Sequence, residues 1–480
     1  MSTGTWTSRL RPRALLRDEG GGIAVVLALA IVPLVAFAGL AIDTGRGELV
    51  RARLSQSLDA AALAGGRVFF ESRRDDDIRM YFAANFPAGY LEAAISPLAI
   101  EEDRLAGRLT VSATATVPTT FMSVLGFQEI TVSARTVVER ADRGMELVLV
   151  MDNTGSMYQG GSRTSRINRM KAAAQELVDI LYEDRETIED LWIGLVPYTA
   201  SVNIGNARTG WLAANAFQGL TYPAGAAWKG CVEARSGGED LTDAPPSAAP
   251  FRPFFFPAHP DDNAWPPLDE SAATNTTNND GRGPNLGCGP PVTPPTGSRA
   301  VVEAAISAMD SWHRGGTITS EGLAWGWRML SPRWRGLWGG DTPPTLPLDY
   351  HTPLMRKVVI ILTDGKNELY TYWRRGGNDT DHTAYGRVRQ GRLGTTSKDA
   401  ARREINRRTA QLCADMKARG VVIYTITFEV DSDTAGQEGR QLFRDCATTP
   451  AHYFDNPVGT DLSVTFRTIA NQLGNLRIAE

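Results

Sequence analysis

The amino-acid sequence predicts an α/β fold in which a doubly wound, mostly parallel sheet carries a large insertion and is preceded by an N-terminal transmembrane helix and a small β-containing region. Three observations carry this reading. Residues 145–151, 191–198, 358–363 and 421–430 are nearly uninterrupted apolar runs separated by segments with apolar residues at helical spacing, the pattern of parallel strands buried on both faces. Residues 23–42 read IAVVLALAIVPLVAFAGLAI, with no charged side chain. Residues 206–297, between the second strand and a helix expected from Arg299, are rich in Gly, Pro, Asn and Asp.

About 20 apolar residues are what a helix needs to cross a hydrocarbon core. Pro33 removes one helical hydrogen bond, which a spanning helix tolerates as a bend. The run is longer than a signal-peptide core and no A-x-A-like site closes it, so an anchor is expected rather than a cleaved signal. Arg9, Arg11, Arg13 and Arg17 precede the span, which favours a cytoplasmic residue 1–22 segment and an exported remainder; Asp18 and Glu19 before the span, and Arg46, Arg51 and Arg53 beyond it, weaken that bias. Leu54, Leu58 and Ala61 or Ala62 continue at helical spacing, so the anchor is expected to extend as an amphipathic stalk, either inert or packed against neighbouring helices. Residues 109–117 and 130–138 alternate apolar and small polar side chains, the signature of strands in a membrane-proximal α+β region at 67–143.

The larger domain is expected over residues 144–478. Its strands alternate with helices at about 167–181, 299–309, 320–330, 399–417 and 462–476. The 206–297 insertion is too long for an idle loop, and its Trp228, Phe254, Phe255, Phe256, Trp265, Cys231 and Cys288 argue for a folded excursion. Smaller insertions are expected at 334–354 and 369–396. The four cysteines, Cys231, Cys288, Cys413 and Cys446, form no close C-x-x-C pair and allow three pairings. Cys231 with Cys288 and Cys413 with Cys446 are the most local, and in an exported chain disulfides are favoured over buried thiols. A net charge of −4 and a pI near 5.9 give no reason to expect nucleic acid. The basic cluster Arg402, Arg403, Arg407 and Arg408 reads as a solvated helix face.

Asp152 directly follows the first apolar strand and Asp364 another, so in a parallel sheet both stand at the carboxyl edge where such folds place their sites. With Thr154, Ser156 and Thr317 they make two carboxylates and three hydroxyls, hard oxygen donors suited to Mg²⁺, with Mn²⁺ or Ca²⁺ as alternatives; the absence of His and Cys argues against zinc or copper. No persuasive general base accompanies them, so a binding protein is expected rather than an enzyme. The isolated His313, His351 and His452 read as surface or packing residues. Trp325, Trp327, Trp334 and Trp338 fit either an aromatic surface or helix packing.

Asp152-Asn153-Thr154-Gly155-Ser156-Met157 resembles the DxSxS metal-ion-dependent adhesion motif (MIDAS) of von Willebrand factor A (vWA) domains, with Thr154 in place of the first serine. By that resemblance Thr154 and Ser156 ligate the ion directly and Asp152 through water. Gly315-Gly316-Thr317 resembles the second motif, with Thr317 a direct ligand, and Thr363-Asp364-Gly365 the third, with Asp364 acting through water. The resemblance implies a Rossmann-like vWA fold that captures an acidic side chain of a partner protein.

Residues 15–66, with Gly20-Gly21-Gly22, Asp43-Thr44-Gly45-Arg46 and the 54–64 run LSQSLDAAALA, resemble the N-terminal helical region of TadE/TadG-like Flp (type IVb) pilus-assembly proteins. Anchor followed by a vWA domain with a large insertion is similar to the TadG architecture. This implies pilus assembly or anchoring at a bacterial inner membrane, with the large domain periplasmic or exported and other envelope proteins as partners. Val25 and Val26 stand where the family's pseudopilins carry an early glutamate, so processing at Gly22 is not implied. Two rival readings share the ion site: a surface adhesin or matrix-binding protein, separated by localisation, and a metal-dependent hydrolase, which needs a base within reach of the ion.

Overall fold

The computed structural model describes residues 22–69, 71–103, 107–139, 144–159, 165–260, 263–265, 268–270, 281–371, 379–456, 461–473 and 477–478. The basic residues expected to set membrane orientation, Arg9 to Arg17, lie outside them, as do Gly20 and Gly21. The chain divides into two compact units, residues 1–141 with 476–480, and residues 142–475.

The first unit comprises α1 (Gly22–Arg67), α2 (Arg74–Asn85), β1 (Ala94–Ile95), β2 (Ala99–Asp103), β3 (Arg108–Pro118) and β4 (Glu129–Glu139). α1 is long and apolar enough to cross a membrane. Its apolar side chains point outward around the whole helix from Ile23 to Ile42, a surface with no stable place in water. Farther along, the burial becomes one-sided. Val50, Leu54, Leu58, Ala61 and Ala62 recur at helical spacing and pack on Leu109, Val111, Ala113, Ala115 and Val117, the inward-facing alternate residues of β3. Thr136 of β4 donates to Asp59 at 2.6 Å.

The second unit comprises β5 (Gly144–Asp152), α3 (Arg166–Tyr182), β6 (Leu191–Tyr198), β7 (Val202–Asn203), β8 (Cys231–Val232), β9 (Thr293–Thr296), α4 (Arg299–Ala308), β10 (Gly316–Thr317), α5 (Thr319–Leu330), β11 (Met355–Thr363), β12 (Glu368–Leu369), α6 (Lys398–Ala418), β13 (Val422–Phe428), α7 (Thr434–Cys446), β14 (Tyr453–Asn456) and α8 (Leu462–Leu473). β15 (Arg477–Ile478) returns to the first unit, antiparallel to β4. Five strands in the order β14-β13-β11-β5-β6 are parallel. β7 and β9 pair antiparallel with β6, and β8 with β7, so the fold is mixed α/β with an antiparallel edge. Leu147 and Leu149 of β5 face α3, α4 and α8 through Met170, Leu177, Ile306 and Phe466. Val148 and Val150 face α5, α6 and α7 through Leu323, Leu412 and Phe443. That two-sided burial is why the strand reads as a continuous apolar run.

The described part of the insertion is folded into this core. β8 extends the sheet, and Trp211, Trp228 and Phe251 pack with Trp325, Trp334 and Trp338 in one cluster; Phe251 stacks on Trp325 with centroids 4.8 Å apart. The tryptophans left open by the sequence are therefore interior. Disulfides join Cys231 to Cys288 within the insertion and Cys413 of α6 to Cys446 of α7. Charge also ties the insertion down. Arg328 of α5 donates to the carbonyls of Thr242 and Asp240 at 3.3 and 3.1 Å, and Tyr385 donates to Asp240 at 2.8 Å. Glu321, next to this cluster on α5, is 2% exposed, and its Oε1 has no hydrogen-bond partner among the described residues. Burial, opposed by Arg328 and reinforced by Asp240, pushes its carboxyl up to about 7.

A carboxyl that folding makes harder to ionise contributes stability fully below its unfolded value, near 4.5, and loses it as the pH rises through about 7. Glu321→Gln, which keeps the neutral shape, is expected to raise stability at pH 8 by on the order of 2–3 kcal/mol and to flatten the pH dependence of thermal unfolding between those values. An unchanged profile would show that Glu321 ionises freely. Replacing both Cys413 and Cys446 by Ala opens a loop with a sequence separation of 33 and is expected to cost about 3–4 kcal/mol in denaturant unfolding.

Candidate functional site

The candidate residues are placed by strand ends. β5 and β11 run parallel, with Met151 opposite Leu362, so Asp152 and Asp364 emerge at the same edge of the sheet. Both are buried, 0% and 2% exposed. After β5 the chain turns sharply. Thr154 N–H and Oγ1 both donate to Asp152 Oδ1, at 2.8 and 2.6 Å. Ser156 Oγ donates to Asp364 Oδ1 at 2.7 Å, and Thr154 Oγ1 lies 3.1 Å from Ser156 Oγ. With both carboxyls ionised, each hydroxyl directs its one proton to a carboxylate, which leaves lone pairs on the two facing oxygens; when either carboxyl holds a proton, one hydroxyl donates to the other.

Thr317 reaches the site by a different route. Gly315 and Gly316 precede it with φ of 88° and 115°, and a Cβ on Gly316 would come 2.0 Å from the Glu368 carbonyl, so only glycine fits there. Thr317 pairs with Glu368 in the β10–β12 ladder. The preceding loop is fixed by the buried Arg314–Asp381 pair, with Nε at 2.6 Å and Nη2 at 2.7 Å, and by the Trp312 N–H, which donates to the Asn153 carbonyl at 2.7 Å. Thr154, Ser156 and Thr317 then line one cavity of about 210 Å³, together with Gln159, His313, Glu368 and Tyr370. Asp152, Thr154, Ser156 and Asp364 thus form one hydrogen-bonded chain, and Thr317 stands on the wall of the cavity that opens onto it.

Several contributors carried no signal in the sequence. Thr363 Oγ1 donates to Asp152 Oδ2 at 2.7 Å, and the buried Tyr198 hydroxyl contacts the same oxygen at 3.4 Å and the Leu362 carbonyl at 3.2 Å. Arg166, at the start of α3, donates to Asp364 Oδ2 at 2.9 Å and to Glu429 Oε2 at 3.0 Å, while Arg169 holds Glu429 Oε1 at 2.5 Å. His313 lies on the cavity wall over Gly155, where a Cβ would come 2.1 Å from its Nδ1. Burial, with Arg314 beside it, pushes its imidazole below the ordinary value.

The electrostatics follow from crowding. Burial and then the neighbouring Asp152 push the Asp364 carboxyl up to about 7 against the pull of Arg166. Burial raises Asp152 too, against hydrogen bonds from Thr154 and Thr363. Two buried carboxylates with two hydroxyl oxygens between them make a donor set that fits a small hard cation. Among the described residues no group of three His, Cys, Asp or Glu side chains could hold a metal ion; a centre here would depend on its hydroxyls.

Removing Arg166 leaves Asp364 buried without its guanidinium. Arg166→Ala is expected to cost about 3 kcal/mol in thermal unfolding with a chelator present. Arg166→Lys should recover only part of this, because an ammonium cannot hold Asp364 and Glu429 through separate nitrogens. Wild-type stability in both variants would mean that the pair contributes nothing.

Residues 21–68 match the Flp pilus-assembly TadE/G-like family, Tad. No curated protein matches the chain. Among solved structures, the chain is similar to the pilus adhesin SpaC of Lactobacillus rhamnosus GG, at 13% identity over 80% of this chain and 34% of that one, with a TM-score of 0.33. It is similar to the vWF domain of the type V pili tip protein Mfa5 of Porphyromonas gingivalis, at 12% identity over 71% of this chain and 98% of that one, with a TM-score of 0.35. It is also similar to proximal thread matrix protein 1 of the mussel byssus with a zinc-occupied MIDAS motif, at 12% identity over 70% of this chain and 46% of that one, with a TM-score of 0.31. The chain thus spans about a third of the SpaC structure's length.

Proposed function

We propose that this chain is an envelope-anchored Flp/Tad pilus-assembly or anchoring protein that binds partner proteins through a divalent cation held by Asp152, Thr154, Ser156, Thr317 and Asp364. The observation that carries the reading is the pair of hydroxyl oxygens, 3.1 Å apart, each within hydrogen-bond distance of a buried carboxylate. Mg²⁺ is the first choice for such donors, with Mn²⁺ or Ca²⁺ as alternatives. When bound, the ion supplies a Lewis-acidic point for a carboxylate of the partner. The chain's own residues do the rest: the Thr363 and Tyr198 hydroxyls hold Asp152 in place, Arg166 offsets the Asp364 charge, and Gly315-Gly316 presents Thr317 to the cavity.

The pilus reading draws on the Tad match at residues 21–68 and on α1, long and apolar enough to cross a membrane. The proposed placement is a single pass through a bacterial inner membrane, N-terminus cytoplasmic and the large domain periplasmic or exported. The site is read as binding, not hydrolytic. Asp364, which accepts the Ser156 hydroxyl, is held by Arg166 through its other oxygen and is assigned to the ion's donor set rather than to drawing a proton from water. The imidazole of His313 packs on Tyr370 with centroids 5.2 Å apart.

Calorimetric titration of the purified full chain with Mg²⁺ tests the site. Asp152→Ala is expected to weaken binding roughly 10–100-fold, and Thr154→Val, which keeps the shape and removes the oxygen, should weaken it as well, both with cooperative unfolding retained. Unchanged affinity in two well-folded variants would overturn the metal assignment. Pilus formation by a strain carrying the Asp152 variant then separates a pilus role from a general adhesin, which would leave pili intact.

A further inference from the structure

The β3–β4 connection lies beside the apolar part of α1 and is fixed to it. Asp43 accepts the backbone N–H groups of Thr120, Phe121 and Met122 at 3.0, 2.9 and 2.8 Å. Arg46, one turn on, donates to Thr120 Oγ1 at 2.8 Å and to the Leu91 carbonyl at 3.2 Å. Phe121 covers Gly39 so closely that a Cβ there would come 2.3 Å from the Phe121 Cβ. The loop is therefore locked to the helix at the residue directly after Ile42, where the apolar run ends.

This loop, which carries a 3₁₀ turn at Met122–Leu125, has an unusual surface for a connection in water. Residues 119–128 read TTFMSVLGFQ, with no charged side chain. Val124 is 87% exposed, Phe127 59%, Leu125 58% and Phe121 41%. Its polar groups are turned inward: Val124 N–H donates to the Phe121 carbonyl at 3.2 Å, Gly126 to Ser123 at 3.1 Å and Phe127 to Met122 at 3.1 Å, and the Ser123 hydroxyl donates to the Thr120 carbonyl at 2.9 Å. Charge resumes at Glu129, and across from it at Asp43 and Arg46. An exposed apolar tip with internally bonded amides is what a segment needs to enter lipid, where an unmet backbone group costs several kcal/mol. Phe121 brings this surface to the Gly39 face of α1, where Val35, one turn before Gly39, is 54% exposed.

We propose that the β3–β4 tip, through Phe121, Val124, Leu125 and Phe127, is a second membrane contact: it wedges into the leaflet at the Ile42 end of α1 and fixes how the stalk leaves the bilayer. The occupant of this face is lipid, because the tip is held at the level where the spanning run ends. The inference rests on the reading of α1 as a membrane anchor.

The test uses the full chain reconstituted in phosphatidylcholine vesicles, with an environment-sensitive fluorophore on a single introduced cysteine. The native cysteines are all in disulfides, so only the introduced one reacts. Val124→Cys points outward and disturbs no packing. Val32→Cys reports on the span and Asp76→Cys on the exposed face of α2. The tip label is expected to emit to the blue of the Asp76 label and to lose intensity with lipids spin-labelled high on the acyl chain, while the Val32 label responds to deep spin labels. A tip label that behaves like the Asp76 label while Val32 is quenched would overturn the wedge and leave the anchor standing. Failure of quenching at Val32 as well would overturn both. Blue emission at the tip that needs high protein density and ignores spin-labelled lipid would assign the face to a second copy of the chain, and would also overturn the proposal.

Discussion

The second unit is organised around two carboxylates that its own sheet forces together. Because β5 and β11 are parallel neighbours, Asp152 and Asp364 leave the same edge, and burial gives neither the water that would let it ionise at low cost. The surroundings answer this with hydroxyls and a guanidinium. The hydroxyls of Thr154, Thr363 and Ser156 meet three of the four carboxylate oxygens, and Arg166 takes the remaining Asp364 oxygen. What is left over is acceptor capacity on two hydroxyl oxygens 3.1 Å apart, at the mouth of a cavity. The site is a consequence of topology before it is a consequence of loop sequence.

Much of this was legible beforehand because strands buried on two faces leave a one-dimensional trace. Leu147 through Val150 alternate between two cores, so the run is apolar without interruption, and an acidic residue at its end stands out. The aspartate after β11 could be read for the same reason, whereas the D-x-T-x-S spacing and the glycines before Thr317 were read from their resemblance to vWA motifs. What could not be read depends on contacts between distant segments. Arg166 is an ordinary first-turn residue until Asp364 and Glu429 are brought to it, and Tyr198 is an ordinary strand aromatic until its hydroxyl meets Asp152. α7 left a weak trace because Gly436 and Gly439 each disfavour helix by roughly 1 kcal/mol; the Asp433 cap on the Gly436 N–H at 2.7 Å and the burial of Leu442, Phe443 and Cys446 supply what propensity lacks. β14, four residues long, is held by its parallel pairing with β13, a tertiary contact with little local signature. His313 was read as a surface or packing residue and packs, but on the wall of the cavity.

The insertion shows which part of a mixed composition decides. A stretch rich in Gly, Pro and Asn was expected to fold because of its aromatic residues and cysteines, and it contributes β8 to the sheet and Trp211, Trp228 and Phe251 to a cluster shared with Trp325, Trp334 and Trp338. Its aromatic residues contribute burial that its backbone, short of regular hydrogen bonding, cannot. The buried charges around Arg328, Asp240 and Glu321 are the cost of this attachment: a guanidinium that reaches two insertion carbonyls must sit where a neighbouring carboxyl finds ionisation difficult.

Charge balance gives Arg166 a meaning beyond stability. Counted as ionised groups, Asp152, Asp364 and Glu429 carry three negative charges, and Arg166 with Arg169 two positive ones, so the linked set is one unit negative before any ion enters. On the proposed reading a dication makes it one unit positive. Without Arg166 the same loaded site would be neutral, and its pull on an anionic side chain would rest on local geometry alone. A fixed guanidinium on the far side of Asp364 from Ser156 leaves the cavity side to the hydroxyl oxygens while biasing the loaded centre toward a carboxylate. The residue that offsets buried charge in the empty site is thus the one that would leave the filled site in need of an anion, which ties the stability of the domain to the kind of partner it can hold.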